Sequence, residues 1–227
     1  MKALIYKEFK LAMHPMCFVF MALFPLMILI PAYPLGVGFI YILAGYPILF
    51  LGANKGQQSN DLLYSVLLPV RKKDIVLARI ITVLIMQLTF IVITSALYPL
   101  AVVINNAMNA SAEANKKVTV PGLGLNSYVL VLAFAIIGYA LADLIFFPIY
   151  YKKGKSILAS TLFTILGFVA YIGIVTIALP YIPGLEVLNQ LPLGVQFGIL
   201  GGALLIAFVV HLAVYKISSK RLEKVDF

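Results

Sequence analysis

Apolar residues run along most of this chain without the regular polar interruptions that mark a half-buried strand or a soluble amphipathic helix. Crossing a bilayer as a helix takes roughly 20 mostly apolar residues. Six stretches qualify, at about 16–34, 36–53, 75–104, 126–150, 156–180 and 192–215. Pro25, Pro31, Pro34 and Pro47 interrupt the first two, and Tyr33-Pro34-Leu35-Gly36 predicts a tight reversal between them. The third is long enough to tilt or to project beyond the bilayer.

Two segments break the apolar pattern. In residues 1–14, Ile5, Phe9, Ala12 and Met13 share one helical face, Lys7, Lys10 and His14 share the other, and Pro15 follows. That spacing predicts an amphipathic helix lying in the interface as an elbow into the first span. A cleaved signal is disfavoured, because the apolar run is long, lacks an A-x-A site and leads directly into another span. Residues 54–73 are the second segment. Gln57, Gln58, Ser59 and Asn60 precede Asp61, and Leu62, Leu63, Val66 and Leu67 form an apolar stripe at helical spacing. Pro69 stops that helix, Arg71, Lys72 and Lys73 follow, and Asp74 opens the third span, where negative charge suits a helix N-terminus. Such a helix either lies on lipid or docks a partner. The predicted fold class is all-α, a polytopic membrane protein of six transmembrane helices in one domain spanning 1–227.

Composition agrees: 63% of the 227 residues are hydrophobic, 11% are charged and mean hydropathy is +1.07. A soluble domain averages roughly 45–50% apolar and about 25% charged. The net charge of +9 would suggest a nucleic-acid partner in a soluble protein. Here, six spans with the N-terminus inside leave only Lys116 and Lys117 of the 17 basic residues outside, in the 105–125 loop. The charge therefore follows the positive-inside rule, with both termini cytoplasmic, and is topology rather than a nucleic-acid patch. The single Cys17 cannot form an internal disulfide and reads as a small apolar residue.

Catalytic chemistry is scarce. Of eight acids, only Asp143 lies within a span, and the two histidines, His14 and His211, fall near helix ends far apart in sequence. There is no H-E-x-x-H, no repeated D-x-x-D and no metal-ligand set, so no enzyme activity and no resident cofactor are expected. Gly154-Lys155-Ser156 imitates the end of a Walker A motif, but Ile149 stands where the first glycine belongs and no strand precedes it. An intramembrane carboxylate is costly, about 2.5–3.5 kcal/mol at mid-bilayer on insertion scales, which makes Asp143 a candidate for translocation or proton coupling. The alternative is a carboxylate hydrogen-bonded to a neighbouring helix or a snorkelling lysine. Gly194, Gly198 and Gly202 repeat every four residues, a face on which helices pack within or between subunits.

Leu68-Pro69-Val70-Arg71-Lys72-Lys73-Asp74-Ile75-Val76-Leu77-Ala78-Arg79 resembles a stretch of small ABC-2 type transporter permeases. Leu-Pro-Val, the basic pair, the acid, Ile-Val-Leu and the final basic residue all stand in place. Phe147-Pro148-Ile149-Tyr150-Tyr151-Lys152-Lys153-Gly154 is similar to that family's Pro, aromatic and basic run at the end of the fourth span. Two positions depart: Leu67 stands where members often have serine, and Asn54-Lys55 where an acid is common. The resemblance implies the permease subunit of an ABC exporter in a bacterial cell membrane. Asp61, Leu62, Leu63, Tyr64, Val66, Leu67 and Leu68 would form a coupling helix seated on a separate ATPase, which would bind the ATP and magnesium. A second permease, identical or homologous, would complete the complex. Relatives handle hydrophobic or amphipathic peptides, such as bacteriocins and phenol-soluble modulins, or drugs and sodium. Asp143, Tyr46 and Tyr139 are the candidate lining of the path. The competing expectation is a stand-alone transporter coupled to protons through Asp143.

Overall fold

A computed structural model describes residues 2–12, 16–26, 29, 65–111, 128–153, 157–174 and 191–225. Helix α1 (Lys2–Lys7) runs into a wider π-type turn (Glu8–Ala12), followed by α2 (Met16–Leu26), α3 (Lys72–Ser111), α4 (Tyr128–Lys153), α5 (Ile157–Gly173) and α6 (Leu193–Glu223). The protein is an all-α polytopic membrane protein, and among the described residues there is no strand. Lys72–Ile104, Tyr128–Lys152 and Leu193–Glu223 are each long and apolar enough to cross a bilayer, and α5 carries the shorter apolar run Ala159–Tyr171. The 40 residues of α3 measure about 60 Å, twice a hydrocarbon core, so the helix extends beyond it as well. The predicted second span, much of the first and the 112–127 loop lie outside the described residues.

Three of the buried threonine hydroxyls are satisfied within their own helices. Thr82, Thr94 and Thr164 donate to the carbonyls of Ala78, Phe90 and Ser160, four residues back, as an apolar solvent requires. The basic side chains Lys220 and Arg221 occupy the last turn of α6, where they complement the helix dipole.

Helix α4 packs against α5 and α6, α6 also packs on α3, and α3 reaches α4 through side-chain hydrogen bonds. Arg79 of α3 meets Tyr150, Gln87 meets Asp143 and Ser95 meets Tyr128, so α3 and α4 are antiparallel. His211 meets Asp143 and Arg221 meets Pro148, so α4 and α6 are parallel. The core concentrates at the basic end of the bundle, where Phe146, Phe147, Tyr150 and Tyr151 are all nearly inaccessible. Phe146 stacks on Tyr150 and Phe147 on Tyr151, at centroid distances of 5.8 and 6.3 Å, one helical turn apart.

Both ends of the described chain meet at that end. Glu8 bonds Arg79, while Lys72 donates to the Val225 carbonyl at 3.0 Å. The N-terminal segment differs from the expected elbow. Its buried residues are Leu4, Lys7 and Glu8, while Tyr6 is exposed, so a charged edge faces the protein. The reason is Arg79, a buried cation on α3 that needs a counter-charge, and α1 with its π-type turn packs on α3 to supply it.

Candidate functional site

One strong polar side chain on each of three apolar helices converges on a single point. Asp143 of α4 is fully buried, and its Oδ2 accepts hydrogen bonds from Gln87 Nε2 of α3 at 3.0 Å. The same oxygen lies 2.9 Å from His211 Nε2 of α6. His211 Nδ1 lies 2.6 Å from the carbonyl oxygen of Ala207, one turn back on the same helix. A carbonyl only accepts, so Nδ1 carries a proton. One further proton then sits between Nε2 and Asp143, making either an imidazolium–carboxylate pair or a neutral histidine facing a carboxylic acid. Both descriptions are net neutral, and that neutrality lets an acid sit in an apolar interior.

Beside this tie is a cavity of about 220 Å³, lined by Leu84, Gln87, Leu88, Tyr139, Leu204, Phe208 and His211 among others. Its wall is otherwise apolar. Because Gln87 turns its amide NH2 to Asp143, its carbonyl is turned away, and Oε1 accepts no hydrogen bond from the described residues.

A second polar cluster closes the basic end. Arg79 Nε donates to Glu8 Oε2 at 2.7 Å and Nη2 to Oε1 at 3.1 Å, a bidentate pair, while Nη1 donates to Tyr150 Oη at 2.9 Å. Lys7 Nζ approaches Glu8 Oε1 at 3.5 Å and hydrogen-bonds the Ser65 hydroxyl. The N-terminal segment, the start of α3, the end of α4 and Ser65 are thereby joined through buried charge.

The predicted site residues fall in different places. Asp61, Leu62, Leu63, Tyr64 and Tyr46 lie outside the described residues. Residues 65–67 are helical, with Ser65 buried, and Leu67 is 75% exposed. Arg71 pairs with Asp74 at 3.0 and 3.3 Å, and that contact raises the guanidinium pKa above its ordinary value. Lys73 pairs with Glu223 at 3.5 Å. Asp143 and Tyr139 do come together, one in the tie and one on the cavity wall. Added Cβ atoms on Gly194, Gly198 and Gly202 would meet nothing within 4 Å, so no neighbour crowds those positions.

The sequence reading missed Gln87, Lys7, Glu8 and Arg79 as site residues and placed His211 near a helix end. In the structure His211 stands twelve residues before Glu223, level with Asp143. A usable signal existed: one amide, one acid and one imidazole, each inside a different apolar span, are expected to seek one another.

The chain belongs to the ABC-2 transporter family: the sequence model described as ABC-2 family transporter protein matches residues 3–221. It is thus a membrane permease of an ABC transporter. Comparison with curated proteins and with solved structures gave no match.

Proposed function

We propose that this chain is the permease subunit of an exporter for hydrophobic or amphipathic substrates, peptide or drug-like, driven by a separate ATPase that docks on residues 61–68. The observation carrying this reading is the end of that segment. Leu67 is 75% exposed beside Ser65, whose hydroxyl is held by Lys7 in the same buried network that contains Glu8, Arg79 and Tyr150. An apolar side chain standing out next to a rigid charged junction suits a contact that must transmit force rather than merely stick. ATP-driven closure of the partner would push on 61–68 and, through that junction, on the ends of the N-terminal segment, α3 and α4. The complex would hold two permeases and two ATPases in a bacterial membrane, with ATP and magnesium bound on the partner and both permease termini on the cytoplasmic side. Differential binding of the two conformations by the ATP-loaded partner supplies the free energy for the switch.

The test is purification of the tagged chain in mild detergent with mass-spectrometric identification of what accompanies it. A near-stoichiometric soluble ATPase is expected, lost in Leu63→Glu and Leu67→Glu variants that still insert and purify normally. Retention of the ATPase by both variants would remove the docking assignment.

A further inference from the structure

The cavity beside Gln87 is not used by the docking argument. Three features define what fits it. Its volume, about 220 Å³, lies below the roughly 300–1,000 Å³ of pockets that enclose drug-sized ligands, so it takes one apolar group rather than a whole helix. Leu88, Leu204 and Phe208 line it and are 55%, 49% and 62% exposed among the described residues, so its mouth opens on an apolar surface of the membrane-spanning bundle. Its wall presents an amide whose carbonyl accepts nothing from the described residues, while the amide nitrogen is committed to Asp143.

Charge decides the rest. The Asp143–His211 pair is already neutral, and both ring nitrogens of His211 face oxygens, at 2.6 and 2.9 Å. On the cavity wall the open acceptor is the Gln87 carbonyl; the other orphaned oxygen, Asp143 Oδ1, is buried and its residue is not part of the lining, and the neutral pair leaves no spare negative charge. A cation entering from the hydrocarbon would bury itself without a counter-ion, at a cost the single amide dipole does not offset. A neutral donor loses nothing comparable and gains a hydrogen bond.

We propose that this cavity is an intramembrane binding site for a short alkyl or aromatic group ending in a neutral hydrogen-bond donor, a hydroxyl or an amide N–H, which donates to Gln87 Oε1. If the chain exports amphiphiles, as proposed above, this is where one apolar group of the substrate first leaves the lipid. Binding itself is independent of that reading, because it requires neither an ATPase nor transport.

The experiment uses the full-length permease alone, reconstituted in lipid vesicles, and a diazirine-bearing medium-chain alcohol as photolabel. A diazirine alkane and a diazirine alkylamine of matched length serve as comparisons. The alcohol is expected to label the peptides around 84–91 and 204–211 saturably, ahead of both comparisons, and plain alcohol is expected to compete. Gln87→Leu should weaken alcohol labelling roughly 2- to 10-fold, the range for one net hydrogen bond, and leave alkane labelling unchanged. Leu204→Trp leaves Gln87, Asp143 and His211 untouched and fills the mouth, so it should abolish labelling by every compound. Equal labelling by alkane and alcohol would overturn the proposal in favour of an acyl chain resting in an apolar gap. Preference for the amine, or absence of saturable labelling, would also overturn it, and in each case the ATPase-docking test stands separately.

Discussion

Removing His211 and neutralising Asp143 are different perturbations, although the two residues touch. In Asp143→Asn the amide NH2 can take the place of Oδ2, donating to an unprotonated His211 Nε2 and, once the Gln87 amide flips, to Gln87 Oε1, while Nδ1–H keeps its bond to Ala207. In His211→Leu the carboxylate keeps only Gln87 and loses the partner that makes the pair neutral. The expected outcome is a loss of about 3–5 kcal/mol for His211→Leu, as for a broken buried ion pair. For Asp143→Asn the expected loss is about 0.6–1.7 kcal/mol, the range for interhelical hydrogen bonds in membranes. Thermal unfolding of the purified subunit in mild detergent measures both, and the double variant should cost less than the sum because the stranded charge is gone. Equal damage from the two single changes would show that the charge itself is needed. A well-folded Asp143→Asn variant that still transports with unchanged pH dependence would remove proton coupling through this carboxylate.

At the scale of elements, the N-terminal segment cannot sustain its own shape. The six residues of α1 are far shorter than the ~12–15 at which an isolated helix becomes even marginal in water, so its order comes from what it is attached to. The attachment is Glu8 on Arg79, with Arg79 itself only 1% exposed. Glu8→Ala takes the bidentate carboxylate from that buried guanidinium and should cost about 3–5 kcal/mol, whereas Glu8→Leu combined with Arg79→Leu should recover much of the loss. Hydrogen exchange distinguishes the mechanisms: in Glu8→Ala the amides of 2–12 should lose protection first, while those of α4 around Phe146–Tyr151 keep theirs. Tyr150→Phe removes one bond to a charged group and should cost about 1.5–3 kcal/mol by the same unfolding measurement. Loss of ATPase coupling in these variants without loss of ATPase binding is the expected sign that the charged junction transmits motion from residues 61–68.

Across the whole molecule the helices are unevenly packed. Helix α4 is packed between α5 and α6, while α6 turns Phe197, Leu205, Phe208 and Val209 outward. Hydrocarbon makes such exposure cheap, since lipid is as apolar as leucine. The glycines divide along the same line. A Cβ on Gly167 of α5 would collide with the end of Ile145 on α4, but one on Gly198 or Gly202 would meet open space. Because the atom met is the end of a half-buried side chain that can swing aside, Gly167→Ala is expected to lower the unfolding midpoint by the equivalent of only about 0.5–1.5 kcal/mol, the cost of an off-rotamer side chain. Gly198→Ala and Gly202→Ala should leave single-subunit stability within about 0.5 kcal/mol. If α6 is the face on which two permeases pair, cross-linking between subunits should fall in Gly198→Leu with no change in the monomer's unfolding.

Membrane embedding, the helical class, the approximate limits of the long helices and the family are local or compositional properties, and the sequence carries them without help. An apolar run of sufficient length is a helix in lipid because backbone groups have no other partners there. The stretch from Leu68 to Arg79 likewise keeps its resemblance whatever it packs against. Which side of each helix faces inward is another matter. In water, an amphipathic stripe tells the core from the solvent; a span apolar all round has no such stripe, and its facing is set only by neighbours and by polar pairs. Gln87, Asp143 and His211 lie 56 and 68 positions apart along the chain, and Glu8 lies 71 from Arg79. No periodicity within one span could join them. Tertiary packing alone decided that an isolated acid became one member of a neutral tie, and that the charged edge of the N-terminal segment turned inward to meet a buried arginine.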